Sequence, residues 1–201
     1  MKKNILTLIF SVFVFVASAQ TEKGTFLLSG STGLNFLAMN YKVQYDGETY
    51  DDYDLSSFSV MPSFGYFIQD NIAIGLSSTM SFETMKYEDG DKEIMNSVMM
   101  IPSAFIFFPV EGDIKPFAQA GVGYSSMTNK WEPKTGSNYE DSYGGLTINF
   151  GGGLAYFVKE NISFNLGLSY TKATFKNKDD DSEKIKQGNF GANIGIAIYL
   201  K

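Results

Sequence analysis

The sequence predicts an all-β protein, an eight-stranded antiparallel up-and-down transmembrane β-barrel. Three observations predict this fold. Apolar and polar residues alternate with a period of two along most of the chain, polar connections separate the alternating stretches, and charge is nearly absent from the middles of those stretches. Beyond the first twenty residues, apolar side chains do not follow the i, i+3, i+4, i+7 spacing of an amphipathic helix.

The first segment, MKKNILTLIFSVFVFVASAQ, has the form of an export signal. Two lysines precede an apolar run from Ile5 to Val16, and an Ala-Ser-Ala sequence ending at Ala19 supplies the small residues that a signal peptidase accepts. The apolar run is shorter than the roughly 20 residues that a spanning helix needs. We therefore expect a signal peptide over residues 1–19 and one barrel domain over residues 20–201.

The composition excludes some classes of protein. The chain has 16 lysines, no arginine and 22 acidic residues, for a formal net charge of −6. An acidic chain lacks the basic footprint that nucleic acid phosphates require, so we expect no nucleic acid partner. Cysteine and histidine are both absent, so no disulfide holds the fold together and no imidazole is available for catalysis.

Eight stretches read as strands, and the first four follow the signal segment in order. Stretch three alternates Ile72, Ile74 and Leu76 with small or polar residues, which gives it one apolar face. Stretch four, IMNSVMMIPSAFIFF, is apolar on both faces, so its pattern does not fix its register. Pro62 and Pro102 lie inside stretches two and four, where each forfeits a ladder hydrogen bond and predicts a bulge or bend. The predicted bounds are 25–41, 55–68, 72–87 and 94–108.

The last four stretches complete the predicted barrel. Stretch five places Gln119, Gly121 and Gly123 on its polar face, and the last two stretches show the clearest alternation in the chain. From Ile162 to Tyr170, and again from Phe190 to Leu200, every second residue is apolar. The predicted bounds are 116–128, 143–158, 162–176 and 187–200.

The connections between stretches are predicted to alternate in length. Three are short, at 69–71, 109–115 and 159–161, and the four between them are mostly longer and strongly polar, at 42–54, 88–93, 129–142 and 177–186. An up-and-down barrel therefore has its short turns at one end and its long loops at the other.

One motif occurs at two of the short turns. GYFIQDNIAIGLSS begins at Gly65, and AYFVKENISFNLGLSY begins at Ala155, with Tyr66 and Phe67 of the first copy matching Tyr156 and Phe157 of the second. Each copy contains a strand end, a tight turn and the start of the next strand. The repeat predicts one structural device used twice at the same end of the molecule.

The polar face of the stretches indicates which side faces lipid. It carries Ser, Thr, Asn, Gln and Gly rather than the Lys, Glu and Asp that a water-exposed sheet shows. Most acids lie in the four polar loops, and only Glu83 lies well within a stretch. Because a charge facing the bilayer midplane costs about 2–4 kcal/mol, this distribution favours an apolar face in contact with lipid. Closure into a barrel would leave no unpaired edge in the membrane.

Aromatic residues give weaker support, because aromatics also favour strands in general. They fall into two groups that we interpret as interfacial girdles. The group near the short turns contains Tyr66, Phe108, Phe117 and Tyr156, and the group toward the long loops contains Tyr41, Phe82, Tyr87, Tyr124, Trp131, Tyr143 and Tyr170.

The chain resembles the small eight-stranded outer-membrane β-barrels of Gram-negative bacteria, of the OmpA/OmpX type. The resemblance rests on the order of the export signal, the stretches, PFAQAGVGY at 116–124, the YF-x-x-[DE]-N turns and the final NFGANIGIAIYLK. It implies location in the bacterial outer membrane, with outer-membrane lipid, lipopolysaccharide and the assembly machinery as partners. The chain departs from the family at Lys201, because such barrels commonly end on an aromatic residue.

The sequence predicts no catalytic, cofactor-binding or metal-binding residues. Enzymes of the resembled type rely on a histidine base, and Glu83 has no evident partner in the sequence. Two acidic groups offer oxygen ligands for Ca²⁺ but match no EF-hand, so we interpret them as solvated loops. The triglycine at Gly151 to Gly153 lies within a strand and indicates tight packing rather than a phosphate cradle. The acidic groups are Asp179, Asp180, Asp181 with Glu183, and Asp51, Asp52 with Asp54.

These observations favour a non-enzymatic protein with a structural or surface-interaction role, which presents four acidic extracellular loops as the candidate site for an extracellular ligand. Two alternatives stay open. The first is a narrow channel or small-ligand transporter, although an eight-stranded interior is just wide enough for side chains. The second is a soluble periplasmic ligand-binding barrel, which would require the apolar face to point inward.

Overall fold

The structure is a computed structural model that describes residues 21–33, 38–45, 48–178 and 184–201. The predicted signal peptide, residues 1–19, lies outside the described residues. Within the strands, side chains are described for 21–33, 54–178 and 185–201. The strands are β1 (Phe26–Gly33), β2 (Ala38–Tyr45), β3 (Glu48–Gln69), β4 (Ile72–Tyr87), β5 (Lys92–Phe107), β6 (Ile114–Glu132), β7 (Tyr139–Lys159), β8 (Ile162–Asn177) and β9 (Lys184–Leu200).

The strands form one closed antiparallel barrel. Each strand from β3 to β9 pairs with its neighbour in sequence, and β1 closes the barrel by pairing with both β9 and β3. β2 also pairs with β3, farther along that strand, so β1 and β2 together occupy one position in the wall. Nine segments therefore fill eight positions, which confirms the predicted eight-stranded barrel. Within the described ranges, no helix is long and apolar enough to cross a membrane.

The predicted long loops are wrong, because strands occupy much of their sequence. β2 and β3 extend through most of residues 42–54, and the pairing of Tyr45 with Glu48 leaves two residues between the strands. β6 and β7 extend likewise until Trp131 pairs with Tyr139. Connections at the two ends have similar lengths, and the ends differ in how far polar strands continue.

Main-chain hydrogen bonding explains why the strands continue into the predicted long loops. Ladder hydrogen bonds join main-chain groups, so a pair of strands can continue through polar residues once its register is set. The sequence also carried an overlooked signal at residues 46 and 47, because Asp-Gly is a strong hairpin dipeptide. Polarity was therefore a poor criterion for ending a strand outside the apolar region.

The two prolines predicted to lie inside strands, Pro62 and Pro102, each interrupt a ladder without changing its register. The β3–β4 ladder lacks pairs at Met61 and Pro62 but resumes in the same alignment at Ser63. The β5–β6 ladder has the same kind of gap at Ile101 and Pro102. The predicted loss of ladder hydrogen bonds is confirmed at both prolines. Of the predicted bulge or bend, the bulge is absent from these two described positions, because the register is unchanged.

The apolar face of the wall points outward. Large apolar side chains alternate along each strand whose side chains are described and remain about half exposed, including Leu166, which is 56% exposed, and Leu154 and Ile194 on the strands beside it. A soluble barrel would bury this face. The structure therefore has the inside-out pattern of a membrane barrel, and the soluble alternative is wrong.

Candidate functional site

Aromatic rings close the barrel interior near the short turns. Phe67 of β3, Phe107 of β5, Phe157 of β7 and Tyr199 of β9 are all buried. The ring centroid of Tyr199 lies 5.0 Å from that of Phe157, 6.2 Å from Phe107 and 6.3 Å from Phe67. Four alternate strands thus contribute one ring each to a cluster that we call the aromatic plug.

The backbone holds each plug residue in the same way. Asn71 and Asn161, at equivalent positions of the repeated motif, accept main-chain hydrogen bonds from Phe107 at 2.8 Å and from Tyr199 at 2.9 Å. The remaining two rings follow this pattern, with Phe67 donating to the Thr25 carbonyl at 2.9 Å and Phe157 donating to the Asp113 carbonyl at 2.7 Å. Residues immediately before neighbouring strands therefore hold the backbone of all four plug residues.

The repeated motif is explained by this plug. In both copies the tyrosine faces outward, since Tyr66 is 38% and Tyr156 is 50% exposed, and the phenylalanine that follows enters the plug. A register shift after Phe67 and another after Phe157 then end the ladder at the turn. The predicted common device at one end of the molecule is confirmed, and it has a function in closing the interior.

The predicted aromatic girdles are correct only in part. Tyr66, Phe108 and Tyr156 are exposed on the outer wall near the short turns, and Phe82, Tyr124 and Tyr170 are exposed toward the other end. The remaining described members lie inside the barrel, because strand alternation turns them inward: Phe117, Tyr87, Trp131 and Tyr143.

A cavity of about 620 Å³ lies inside the barrel beside the plug. Its floor contains Phe105, Phe107 and Phe117, and its wall includes residues of β1 and of every strand from β3 to β9. The wall is rich in hydroxyl and amide groups, including Ser57, Ser59, Ser63, Ser77, Thr79, Ser81, Gln119, Asn149, Asn165 and Gln187. The prediction of a polar inner face is confirmed.

Glu83 points into this cavity and is the only charged residue among the described residues that line it. Its cross-strand neighbours are Ser57 and Met95, and no described side chain forms an ion pair or hydrogen bond with its carboxylate. Glu93, farther along the inner wall, differs because it accepts hydrogen bonds from Asn129 at 2.8 Å and from the Tyr87 hydroxyl at 3.3 Å. The sequence pattern identified Glu83 as a residue within a strand. It did not identify Glu93, because the fourth predicted stretch begins at residue 94 and leaves Glu93 in the preceding connection.

A second part of the interior, outside the cavity lining, is packed. Phe175 and Tyr143 are buried there with Ala173, and Met127 and Ile185 pack against them. Ser125 and Thr147 are also buried, and their hydroxyl groups hydrogen-bond to each other. None of these side chains belongs to the described lining of the cavity.

The acidic groups and the triglycine named from the sequence do not form a metal-binding or phosphate-binding site among the described residues. Asp179, Asp180, Asp181 and Glu183 lie outside the described residues, and the side chains of Asp51 and Asp52 do as well. Asp54 is exposed on β3. Among the described side chains, no three acids are grouped closely enough to hold a metal ion. A Cβ added at Gly151 would lie 2.8 Å from the Leu168 carbonyl oxygen, so the triglycine packs tightly against β8, as predicted.

A closed barrel with an outward apolar wall and a polar interior defines a membrane-spanning β-barrel. Residues 5–197 match the family model of the outer membrane protein beta-barrel domain. The chain belongs to that family, and it is a protein of the bacterial outer membrane. This confirms the resemblance and the location inferred from the sequence.

Solved structures of other outer-membrane barrels are similar to this chain. Neisserial surface protein A (NspA) is 16% identical, with 88% of this chain and 97% of that chain covered and a TM-score of 0.47. Ail, the attachment invasion locus protein of Yersinia pestis, is 15% identical, with 88% and 98% covered and a TM-score of 0.47. The outer membrane protease OmpT from Escherichia coli is 9% identical, with 89% and 94% covered and a TM-score of 0.46. No curated protein matches the chain significantly.

Proposed function

We propose that this barrel is a structural or surface-interaction protein that holds polar strand hairpins outside the cell. The observation that carries this proposal is the contrast between its two ends. At one end the interior is filled by the aromatic plug, and at the other the strands continue beyond the apolar wall, as β3 does from the outward Phe58 to Glu48. Those ten residues correspond to about 33 Å of strand.

The hairpins face the outside in this proposal, and the tight turns face the periplasm. Small barrels of this type keep their short turns on the periplasmic side. The turns Asp70-Asn71 and Glu160-Asn161 come directly after the apolar wall, which ends at the outward Ile68 and Val158, whereas the strands at the other end continue beyond that wall. The β2–β3 hairpin, with its tyrosines and carboxylates, is then the strongest candidate for contact with an extracellular ligand.

The channel alternative receives less support from the geometry. Tyr199 reaches three other rings across the interior, so ions or solutes entering from the polar end would meet a packed floor. Opening this path would require the separation of buried rings, each held through its backbone. A continuous pore is therefore not part of the proposed function.

The proposed partners follow from the outer wall. Its apolar band contacts membrane lipid. The exposed Lys172, Lys176 and Lys186 lie beyond that band, toward the polar end of β8 and β9, where anionic lipopolysaccharide groups would be found. Assembly by the outer-membrane machinery is also part of the proposal. We further propose that the protein is not an enzyme, because it lacks histidine and no other described acid or base lines the cavity with Glu83.

Epitope tags in living cells test this orientation. A tag inserted between residues 46 and 47 should bind antibody on intact cells, whereas the same tag inserted at Gly112, in the connection at the plug end, should bind only after the outer membrane is opened. Both sites lie between strands, so both tagged proteins should fold. If the Gly112 tag is the one reached on intact cells, the orientation and the surface role are both wrong.

A further inference from the structure

The interior cavity has the size and closure of a ligand site. Its volume of about 620 Å³ lies within the range of roughly 300–1,000 Å³ that is typical of small-molecule pockets. The aromatic plug gives it a floor, so a ligand would bind in it rather than pass through it. This inference does not depend on the proposed surface role.

The charge of the cavity selects for a cation. Glu83 is the one charged group among the described lining residues, and within the described part of the chain its carboxylate has no partner. A carboxylate in an enclosed, partly desolvated space interacts more strongly with an opposite charge than it would in bulk water. Inside the barrel near the polar end, Glu93 adds a second negative charge.

The neutral lining selects for an amine with an apolar body. Hydroxyl groups surround Glu83, with Ser57 directly opposite it and Ser59 and Ser81 nearby along β3 and β4. The Ser77 hydroxyl oxygen is buried at the cavity wall and has no hydrogen-bond partner. Met99, Ile101 and Phe105 form the apolar part of the lining nearer the plug. An ammonium group can donate to the carboxylate and neighbouring hydroxyls while its hydrocarbon part extends toward Met99, the nearest of these three side chains to Glu83 in the β4–β5 register.

We propose that the barrel interior binds a small organic ammonium ion, with its charged group at Glu83 and its apolar part directed along the cavity toward Met99. Two adjacent methionines report on this site. Met99 lines the cavity and is 7% exposed, whereas Met100 faces outward and is 49% exposed. A ligand inside the barrel should perturb the first methyl group, and one dissolved in the bilayer should perturb the second.

The test is a titration of the barrel in zwitterionic lipid nanodiscs, labelled at its methionine methyl groups, with 4-phenylbutylamine. We expect a saturable shift of the Met99 methyl NMR signal and an unchanged Met100 signal. Glu83→Gln should weaken binding at least tenfold, because it removes the charge and keeps the size. Glu88→Gln, the same change in the connection between β4 and β5, should leave binding within twofold. The neutral 4-phenylbutanol should bind no better than the amine binds to Glu83→Gln.

A second variant tests the location independently of charge. Ser59→Phe should fill part of the cavity and abolish binding of the amine, while the electrophoretic mobility of the folded barrel is retained. The proposal is overturned if the amine shifts only Met100, if Glu83→Gln binds as tightly as the original protein, or if folded Ser59→Phe still binds it. It is also overturned if 4-phenylbutanol binds as tightly as the amine.

Discussion

The interior of this barrel is filled differently at its two ends. At the plug end, four aromatic rings fill the space and each ring is tied through its backbone to the start of a neighbouring strand. Toward the polar end, the interior holds a cavity lined by hydroxyls and one carboxylate, together with a separate buried cluster that contains Phe175. Both ends are built from the same strands.

This difference shows how stability and function are distributed. Close packing of large rings contributes several kcal/mol to the free energy of unfolding and leaves the ring side chains little conformational freedom. A polar cavity contributes less to the free energy of unfolding. The hydrogen bonds that its hydroxyl groups form in the folded barrel are only slightly more favourable than those they form with water in the unfolded chain. The plug end is therefore expected to act as the rigid base, and the polar end is expected to tolerate change and carry recognition.

The largest effect is expected from removing the ring at the centre of the plug. Tyr199→Ala leaves a cavity among Phe67, Phe107 and Phe157, and should lower the free energy of unfolding by about 3–5 kcal/mol. Guanidinium unfolding of the vesicle-inserted barrel measures this. Tyr139→Ala, at the polar end where the tyrosine is 63% exposed, should cost less than about 1 kcal/mol. Equal costs at the two ends would contradict the comparison.

A smaller effect is expected on the outer wall between the two ends. Leu166→Arg places a charge on the lipid face and should destabilise the inserted barrel by about 2–4 kcal/mol. Asn165→Arg introduces the same side chain at the next residue, where it points into the cavity and should be milder. The test compares the two variants in the amount of protein recovered in the membrane and in the free energy of unfolding. If both positions tolerate arginine equally, the assignment of faces is wrong.

The two copies of the turn motif provide a third test. Asn71 has a positive φ of 65° and its side chain accepts a hydrogen bond of 2.6 Å from the Thr21 hydroxyl. Asn71→Ala loses that bond and keeps the left-handed strain, so it should cost about 1–3 kcal/mol. Asn161 does not have a positive φ, and Asn161→Ala should cost under about 1 kcal/mol. A larger loss at Asn161, measured by unfolding, would show that the turns do not differ as described.

The smallest effect is expected at the polar end. Deleting residues 46–52 leaves residues 42–45 to connect Tyr41 with Tyr53, which are paired across β2 and β3. A four-residue connection closes a hairpin readily, so the free energy of unfolding should change by less than about 1 kcal/mol. Heat-dependent mobility in gel electrophoresis checks that the barrel persists. Loss of the folded band would mean that the hairpin is part of the stable base.

Much of the wall could be predicted from individual strands. The alternation from Ile162 to Tyr170 defined a strand and its two faces, and the uncharged inner face indicated which one met lipid. Alternation succeeds because neighbouring side chains on a strand must point to opposite sides. It failed at the strand ends, such as Glu48 and Lys92, because main-chain pairing continues where the apolar signal has stopped.

The candidate site was less accessible to sequence reasoning. Glu83 and the repeated Tyr-Phe pairs were identified, yet their shared relation to one interior was not. The alternating pattern assigns Phe67 and Tyr199 to the inner face, and it does not say that their rings meet. That contact depends on the stagger of strands around the closed barrel, which brings residues far apart in sequence to one level.

The sequence by itself determined the number of strands, the lipid-facing side and the existence of a duplicated turn, because each follows from local periodicity and charge. Only the tertiary structure decided that four rings form a plug, that Glu83 faces a cavity and that polar hairpins extend the wall. These features depend on closure and register, which relate distant strands through backbone pairing. Side-chain identity along a single strand does not contain that information.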